Sequence, residues 1–260
     1  MKKIISLATR LLPRQMLIRM SYVVTPLLKP FYHGNNVECP VCGKRFRKFL
    51  PYGYGEAAEN RMCPNCLSLE RHRLLWLFLK KKTNFFTANL KVLHFAPEQP
   101  FLKHFKALDN LDYTTADIDS PIADLKLDVT AIDMPDNSFD VVICNHVLEH
   151  VSDVGKAFSE IRRILKPSGW AILLVPINPD VDTFEDPTVT DPKERARLFG
   201  QYDHVRQFGR DYESVLSQAG FKVNADRLFY ELSDKERDRM NLARRGEELV
   251  YQVYCAAAEI

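Results

Sequence analysis

The sequence lacks any apolar stretch long enough to cross a membrane. Arg10, Arg14 and Arg19 interrupt the leader before any run reaches the roughly 18 residues that a span requires. A cleavable signal is not expected either. Arg10 falls inside what would be its apolar core, and no clear small-residue cleavage site follows. Together these absences make the cytoplasm the expected compartment. Net charge is also scarce. The 36 Lys and Arg are nearly balanced by 34 Asp and Glu, for a formal charge of +2, which excludes a polycation built to coat nucleic acid. There is no internal repeat and no low-complexity tract. Acids are missing before Glu38, although Lys2, Lys3, Arg10, Arg14, Arg19 and Lys29 precede it. The chain has 260 residues, enough for one large domain and a small one.

Three segments follow from composition. Residues 1–35 form a basic leader, read as amphipathic helix broken near Pro13 and Pro26. It packs on the body of the protein with its arginines in water, or rests through residues 1–33 on an anionic membrane surface. Residues 36–85 hold two C-x-x-C pairs, Cys39/Cys42 and Cys63/Cys66, followed by a leucine-rich helix over 67–82. In a reducing compartment, paired thiols spaced this way point to metal rather than to disulfides. Two such turns brought together set four sulfurs at the corners of a tetrahedron, which suits zinc. Four thiolates leave no open position, so the zinc would be structural, in a small zinc-ribbon-like module. Arg61, Arg71, His72 and Arg73 flank the second pair and either meet phosphates or cover the surface.

Residues 86–260 alternate strands and helices. The clearest unit is Ser138 to Pro176. Phe139 to Cys144 is a β-branched apolar run without turn formers, as expected of a strand buried on both faces. Val154, Ala157, Phe158, Ile161 and Leu165 then recur at helical spacing, behind Ser152 or Asp153 as a cap. Pro167, Ser168 and Gly169 are expected to stop that helix before a strand over 170–175. A strand, a crossover helix and a second strand make a right-handed parallel unit. Earlier strands are expected at 91–96, 113–118 and 125–128, and later ones at 221–225 and 249–255. The fold class is therefore α/β, a doubly wound and mostly parallel Rossmann-like sheet. Ligands of such sheets sit beyond the carboxyl ends of the strands.

Four stretches carry a family resemblance: VLHFAPE after the first strand, TADID after the second, LDVTAIDMPDNSFDVVICNHVLEHV through the fourth and RRILKPSGWAILLVP into the fifth. From about residue 90 onward the chain resembles the class I S-adenosylmethionine-dependent methyltransferases. Its front, CPVCG to CPNCLSLERHRLLWL, is similar to a bacterial methyltransferase group with a zinc module ahead of the enzyme. The resemblance implies an antiparallel last strand, S-adenosylmethionine as cofactor, and methyl transfer to an unidentified acceptor. It implies that Asp117 accepts the ribose hydroxyls, that Asp128 and the amide of Val129 meet the adenine, and that Asn145 lies near the methionine part and the methyl group. One departure concerns the turn after the first strand. Where the family has glycines and an acid, this chain has Ala96, Pro97 and Glu98. Ala96 replaces a glycine if its dihedral angles are ordinary, and Glu98 supplies the negative charge.

Asn178 to Gly209 reads as a wall or lid over the acceptor. Tyr202, His204 and Arg206 are its candidate acceptor contacts, with His204 as the catalytic proton acceptor; equally, His204 and Arg206 pin the lid to the sheet. His146 and His150 read as structural, and Cys144 and Cys255 as buried small hydrophobes. A charged helix over 233–248 reads as a solvated face. The acceptor is a small molecule, a peptide or RNA. The alternative to an enzyme is a binding or scaffold protein that keeps this fold, placed at a membrane surface by the leader.

Overall fold

Apolar runs bounded by turn formers become the strands of one seven-stranded sheet. The computed structural model describes residues 27–53, 58–242 and 246–255. Numbered in chain order, the main-sheet strands are β1 (Leu90–Phe95), β2 (Leu111–Asp117), β3 (Leu125–Lys126), β4 (Phe139–Asn145), β5 (Leu165–Leu174), β6 (Phe221–Asp226) and β7 (Val250–Cys255). They lie in the order β6-β7-β5-β4-β1-β2-β3. The five strands from β5 to β3 are mutually parallel. β7 is antiparallel to both β5 and β6, so it alone is reversed. The strand order turns back between β1 and β4, which makes that junction the topological switch point of the sheet.

Central strands read as continuous apolar sequence because both of their faces are covered. Val141 to Cys144 of β4 are fully buried, as are Val92 and Leu93 of β1 and Ala171 to Leu173 of β5. The helix Val154–Ile164 is capped by Asp153, whose side chain accepts the amide of Lys156 at 2.9 Å, and it buries Ala157, Phe158, Ile161 and Ile164. Pro167, Ser168 and Gly169 do not separate this helix from a later strand, as the sequence suggested. β5 starts at Leu165, and the three residues form an irregularity within it: pairing jumps from Phe139↔Leu165 to Val141↔Trp170. A Cβ on Gly169 would lie 2.9 Å from the carbonyl oxygen of Asp140, so only glycine lets β5 approach β4 here.

The long connection after β5 is structured. Ile177–Asn178, Arg206–Gly209 and Phe184–Glu185 form a small three-stranded sheet with Arg206–Gly209 in the middle. The helix Pro192–Phe199 lies between the strands Phe184–Glu185 and Arg206–Gly209 in the chain, capped by Asp191 and ended by Gly200 in the left-handed region at φ 87°.

The chain divides into two compact units. One comprises Asn84–Pro97, Phe105–Arg227 and Arg245–Ile260 and contains the main sheet; the other comprises Met1–Thr83, Glu98–His104 and Leu228–Arg244. In the latter, the helix Glu70–Lys82 follows the cysteine turns. Arg73 is fully buried and donates to the carbonyl oxygens of Ser68 at 2.7 Å, Arg61 at 3.1 Å and Asn241 at 2.7 Å. Its guanidinium also lies 4.4 Å from the centre of the Phe49 ring. Arg61 pairs with the buried Glu70, and His72 is buried as well. Three of the four basic residues that read as phosphate contacts or surface cover are therefore interior braces. The charged helix also departs from its expected extent. It covers Asp234–Met240 and ends at Asn241, whose φ of 45° is left-handed. Arg239 pairs with Glu38 at 2.9 Å, so one side of this helix is docked rather than solvated. Most of the basic leader lies outside the described residues; within them, Lys29–Tyr32 is a short 3-10 turn that leads into a strand at His33.

Candidate functional site

The site is built on the carboxyl edge of the sheet around the switch point. β1 pairs Phe95 with Ala116 on one side and with Cys144 on the other. One residue further, the register brings Asp117, Ala96 and Asn145 side by side on three adjacent strands. Ala96 stands at φ 49° and His146, immediately after β4, at φ 53°. Both are left-handed, a conformation that costs a non-glycine residue on the order of 1 kcal/mol. Both are held by ladder-like bonds, Ala96 N to Ala116 O at 2.8 Å and His146 N to Leu174 O at 2.7 Å. Strained backbone on two neighbouring strand ends is a pattern found at ligand sites. The condition set for Ala96, ordinary dihedrals, is not met. The backbone makes the turn a glycine would make, at a steric cost.

Asp117 Oδ1 accepts the amides of Asp119 at 2.8 Å and Ser120 at 2.7 Å. One oxygen thus shapes the turn. Among the described residues Oδ2 accepts no hydrogen bond. Ile118, beside it, is 61% exposed, an apolar side chain offered at a strand end. In the sequence Ile118 is marked only by its place directly after the strand-ending acid. Asp128 Oδ1 accepts both the amide and the hydroxyl of Thr130, each at 2.8 Å, and Val129 is buried behind it. Asn145 is buried at the end of β4. Glu98 is placed in the other unit, where its Oε1 lies 3.0 Å from His72 Nε2. His72 Nδ1 accepts the Leu69 amide at 3.0 Å, so Nε2 carries the ring hydrogen that faces Glu98, and Glu98 is engaged there and not at the turn after β1.

Beyond Asn145 the chain turns through Val147 to Val151 and meets the inserted segment. Val205 N donates to Glu149 O at 2.9 Å. Arg206, only 2% exposed, donates to Leu148 O at 2.7 Å, to Val151 O and to Ser152 O at 3.0 Å, and pairs with Glu185 at 2.8 Å. This guanidinium is spent on carbonyls, which makes Arg206 a clamp; its reading as an acceptor contact is dropped. Tyr202 is 58% exposed. His204 is buried, with Nδ1 3.0 Å from Phe199 O. Burial pushes its pKa below the ordinary imidazole value, so the ring is neutral near pH 7. The rings of His150 and His204 meet edge to face at 4.8 Å. Glu149 is buried at 2% exposure, and its Oε1 lies 3.3 Å from His146 Nδ1. Burial raises its pKa, but the hydrogen bond and charge of His146 and the charge of His150 outweigh that and hold the carboxyl below its usual range.

In the other unit, the sulfurs of Cys39, Cys42, Cys63 and Cys66 lie within 4.8 Å of one another. Cys39 and Cys66 are 3.5 Å apart, and Cys42 and Cys63 3.7 Å. Four thiolates at about 2.3 Å from one ion would sit roughly 3.8 Å apart, so the spacing fits zinc. The two turns repeat one another. Gly43 N and Leu67 N bond to Cys39 O and Cys63 O, and Cys39 N and Cys63 N to Lys44 O and Ser68 O. Gly43 and Leu67 are both left-handed, at φ 66° and 63°.

Residues 86–173 match the family described as "Methyltransferase domain". The chain is 32% identical over 101 residues to the uncharacterized methyltransferase YcgJ of Bacillus subtilis, an alignment covering 39% of this chain and 36% of that protein. It is 56% identical over 45 residues to an uncharacterized protein of Methanocaldococcus jannaschii, covering 17% of this chain and 19% of that one. The chain thus spans about a third or less of the curated relatives it matches. The crystal structure of YcgJ superposes with a TM-score of 0.46 and 17% identity, over 72% of this chain and all of that one.

Proposed function

From the match of residues 86–173 to the methyltransferase domain family, we propose that the protein transfers a methyl group from S-adenosylmethionine to an acceptor bound over the carboxyl edge of β4. The domain match is the observation that carries this reading. The residues at the edge fit the cofactor's adenosyl half. Asp117 Oδ2 would accept the ribose hydroxyls, Ile118 would lie against the base, and Asp128 with the Val129 amide would meet its polar edge. The left-handed turn at Ala96 and the buried Asn145 would take the methionine half. The bound cofactor supplies an electrophilic methyl on a sulfonium. The chain supplies orientation and exclusion of water. Neutral His204 is suited to accept a proton from the acceptor, and Tyr202 is free to face it.

Zinc at the four cysteines would brace the other unit and take no part in the chemistry. The acceptor is a small molecule, a peptide or RNA. Arg61, His72 and Arg73 are buried and so offer no surface to RNA, whereas Lys44, Arg45, Arg47 and Lys48 are exposed. Turnover on a small acceptor would vary little with salt, whereas RNA binding would weaken steeply. No helix among the described residues is long and apolar enough to cross a membrane.

The test is a calorimetric titration with S-adenosylhomocysteine. Binding by the wild type, weakened tenfold to a hundredfold in Asp117→Ala, is the expected result. No binding by the folded wild type would instead favour a scaffold that keeps the fold, a reading to which the already paired Glu98 lends support.

A further inference from the structure

We propose that Glu149, His150 and His204 hold a divalent transition-metal ion beside the carboxyl end of β4. Their ligand atoms lie within 4.8 Å of one another. Three atoms at about 2.1 Å from one ion would lie roughly 3.4 Å apart, so small side-chain rotations close the site. His204 Nδ1 is 3.0 Å from Phe199 O, and His150 Nδ1 is 3.3 Å from Asp203 O. A carbonyl oxygen only accepts, so each Nδ1 carries the hydrogen and each Nε2 keeps its lone pair. Fixing the far nitrogen of an imidazole on a backbone carbonyl is how proteins aim histidine at a metal.

Glu149 provides the independent sign. Its side chain is 2% exposed, and Oε2 is buried without a hydrogen-bond partner among the described residues. A buried carboxylate oxygen with no donor is a group that awaits a cation. The backbone is arranged to complete the set. Val205 N on Glu149 O and the Arg206 clamp on 148–152 bring His204, from far along the chain, onto the Glu149–His150 pair. His150 is 33% exposed on its side chain, which leaves a way in. Two imidazoles and one carboxylate suit zinc, cobalt or nickel rather than calcium. Three protein ligands leave open positions for water or substrate. With the ion bound, His204 Nε2 is a ligand and no longer the proton acceptor of the methyl-transfer reading.

The four cysteines also take such ions, so the experiment must tell the two apart. Full-length protein purified with zinc is titrated with Co²⁺, followed by calorimetry and visible absorption. The expected result is roughly one added equivalent, with ligand-field bands and no thiolate charge-transfer band. Glu149→Gln and His204→Asn should each weaken it at least tenfold, with circular dichroism confirming the fold. Absence of such a site in the wild type, a spectrum of thiolate character alone, or binding unchanged in both variants would overturn the proposal. The wild-type spectrum decides even where a variant fails to fold. The ligands are read without reference to methyl transfer, and titration of the same samples with S-adenosylhomocysteine reports on that reading separately.

Discussion

At the scale of single residues, two positions separate turn-making from ligand binding. Asp117 shapes its loop through Oδ1, while Oδ2, which accepts no hydrogen bond among the described residues, is the atom proposed to meet the cofactor. Asn at this position retains an acceptor for the loop amides but loses the charge. Asp117→Asn should therefore weaken cofactor binding while leaving the melting temperature near wild type, and Asp117→Ala should lower both. Calorimetry and thermal melts on the two variants check this. Ala96 at φ 49° makes the second case. Ala96→Gly should change stability by less than about 1 kcal/mol, since relief of strain is offset by a freer unfolded chain. Ala96→Val should cost about 2 kcal/mol or more, because a branched side chain fits poorly at positive φ. Urea unfolding curves measure both; a neutral valine would mean that the turn is not left-handed.

Elements are joined by two polar clamps that the sequence did not announce. Asp140 on β4 accepts from Lys166 of β5 at 2.8 and 2.9 Å and from the amide of Lys91 of β1 at 2.8 Å, tying three central strands together near their amino ends. Burial raises its pKa, but Lys166 and the Lys91 amide outweigh that and hold the carboxyl below its ordinary range. A carboxyl depressed in the folded state adds stability above its unfolded value of about 3.9 and loses it as pH falls through the lower folded value. Thermal melts from pH 7 downward should show the wild type losing part of its margin over Asp140→Asn below about pH 4. Arg206 is the second clamp. Arg206→Ala would strip three carbonyl oxygens of their donor, and a loss on the order of 3 kcal/mol is expected in denaturant unfolding. Lysine should not rescue it, since one ammonium cannot span the three carbonyls.

For the molecule as a whole, the cysteine-bearing unit depends on a small interior. Among its described members, Phe49, Leu74, Leu75, Phe78, Leu79, Phe101 and Arg73 are fully or almost fully buried, and polar braces such as Arg239 with Glu38 add to that order. A structural zinc would contribute directly to folding there. Chelation under reducing conditions, or Cys39→Ser, should release roughly one zinc per chain and lower the melting temperature; an unchanged melt in metal-free protein would remove the structural role.

The sequence by itself determined the sheet and its sense. Phe139 to Cys144 and Trp170 to Val175 read as buried parallel strands because covering both faces leaves uninterrupted apolar runs, whereas the start of β5 at Leu165, ahead of Pro167, Ser168 and Gly169, did not show in the sequence. The cysteine pairs were equally plain, since their chemistry lies in local spacing. What only the tertiary structure decided was which polar residues have partners already. Glu98 is taken by His72, Arg206 by the carbonyls of 148–152, Arg73 by those of Arg61, Ser68 and Asn241, and Glu149, His150 and His204 converge. Apolar periodicity is a local property that survives in one dimension. Whether a charged side chain is satisfied depends on groups tens or hundreds of residues away, and only the folded chain brings those together.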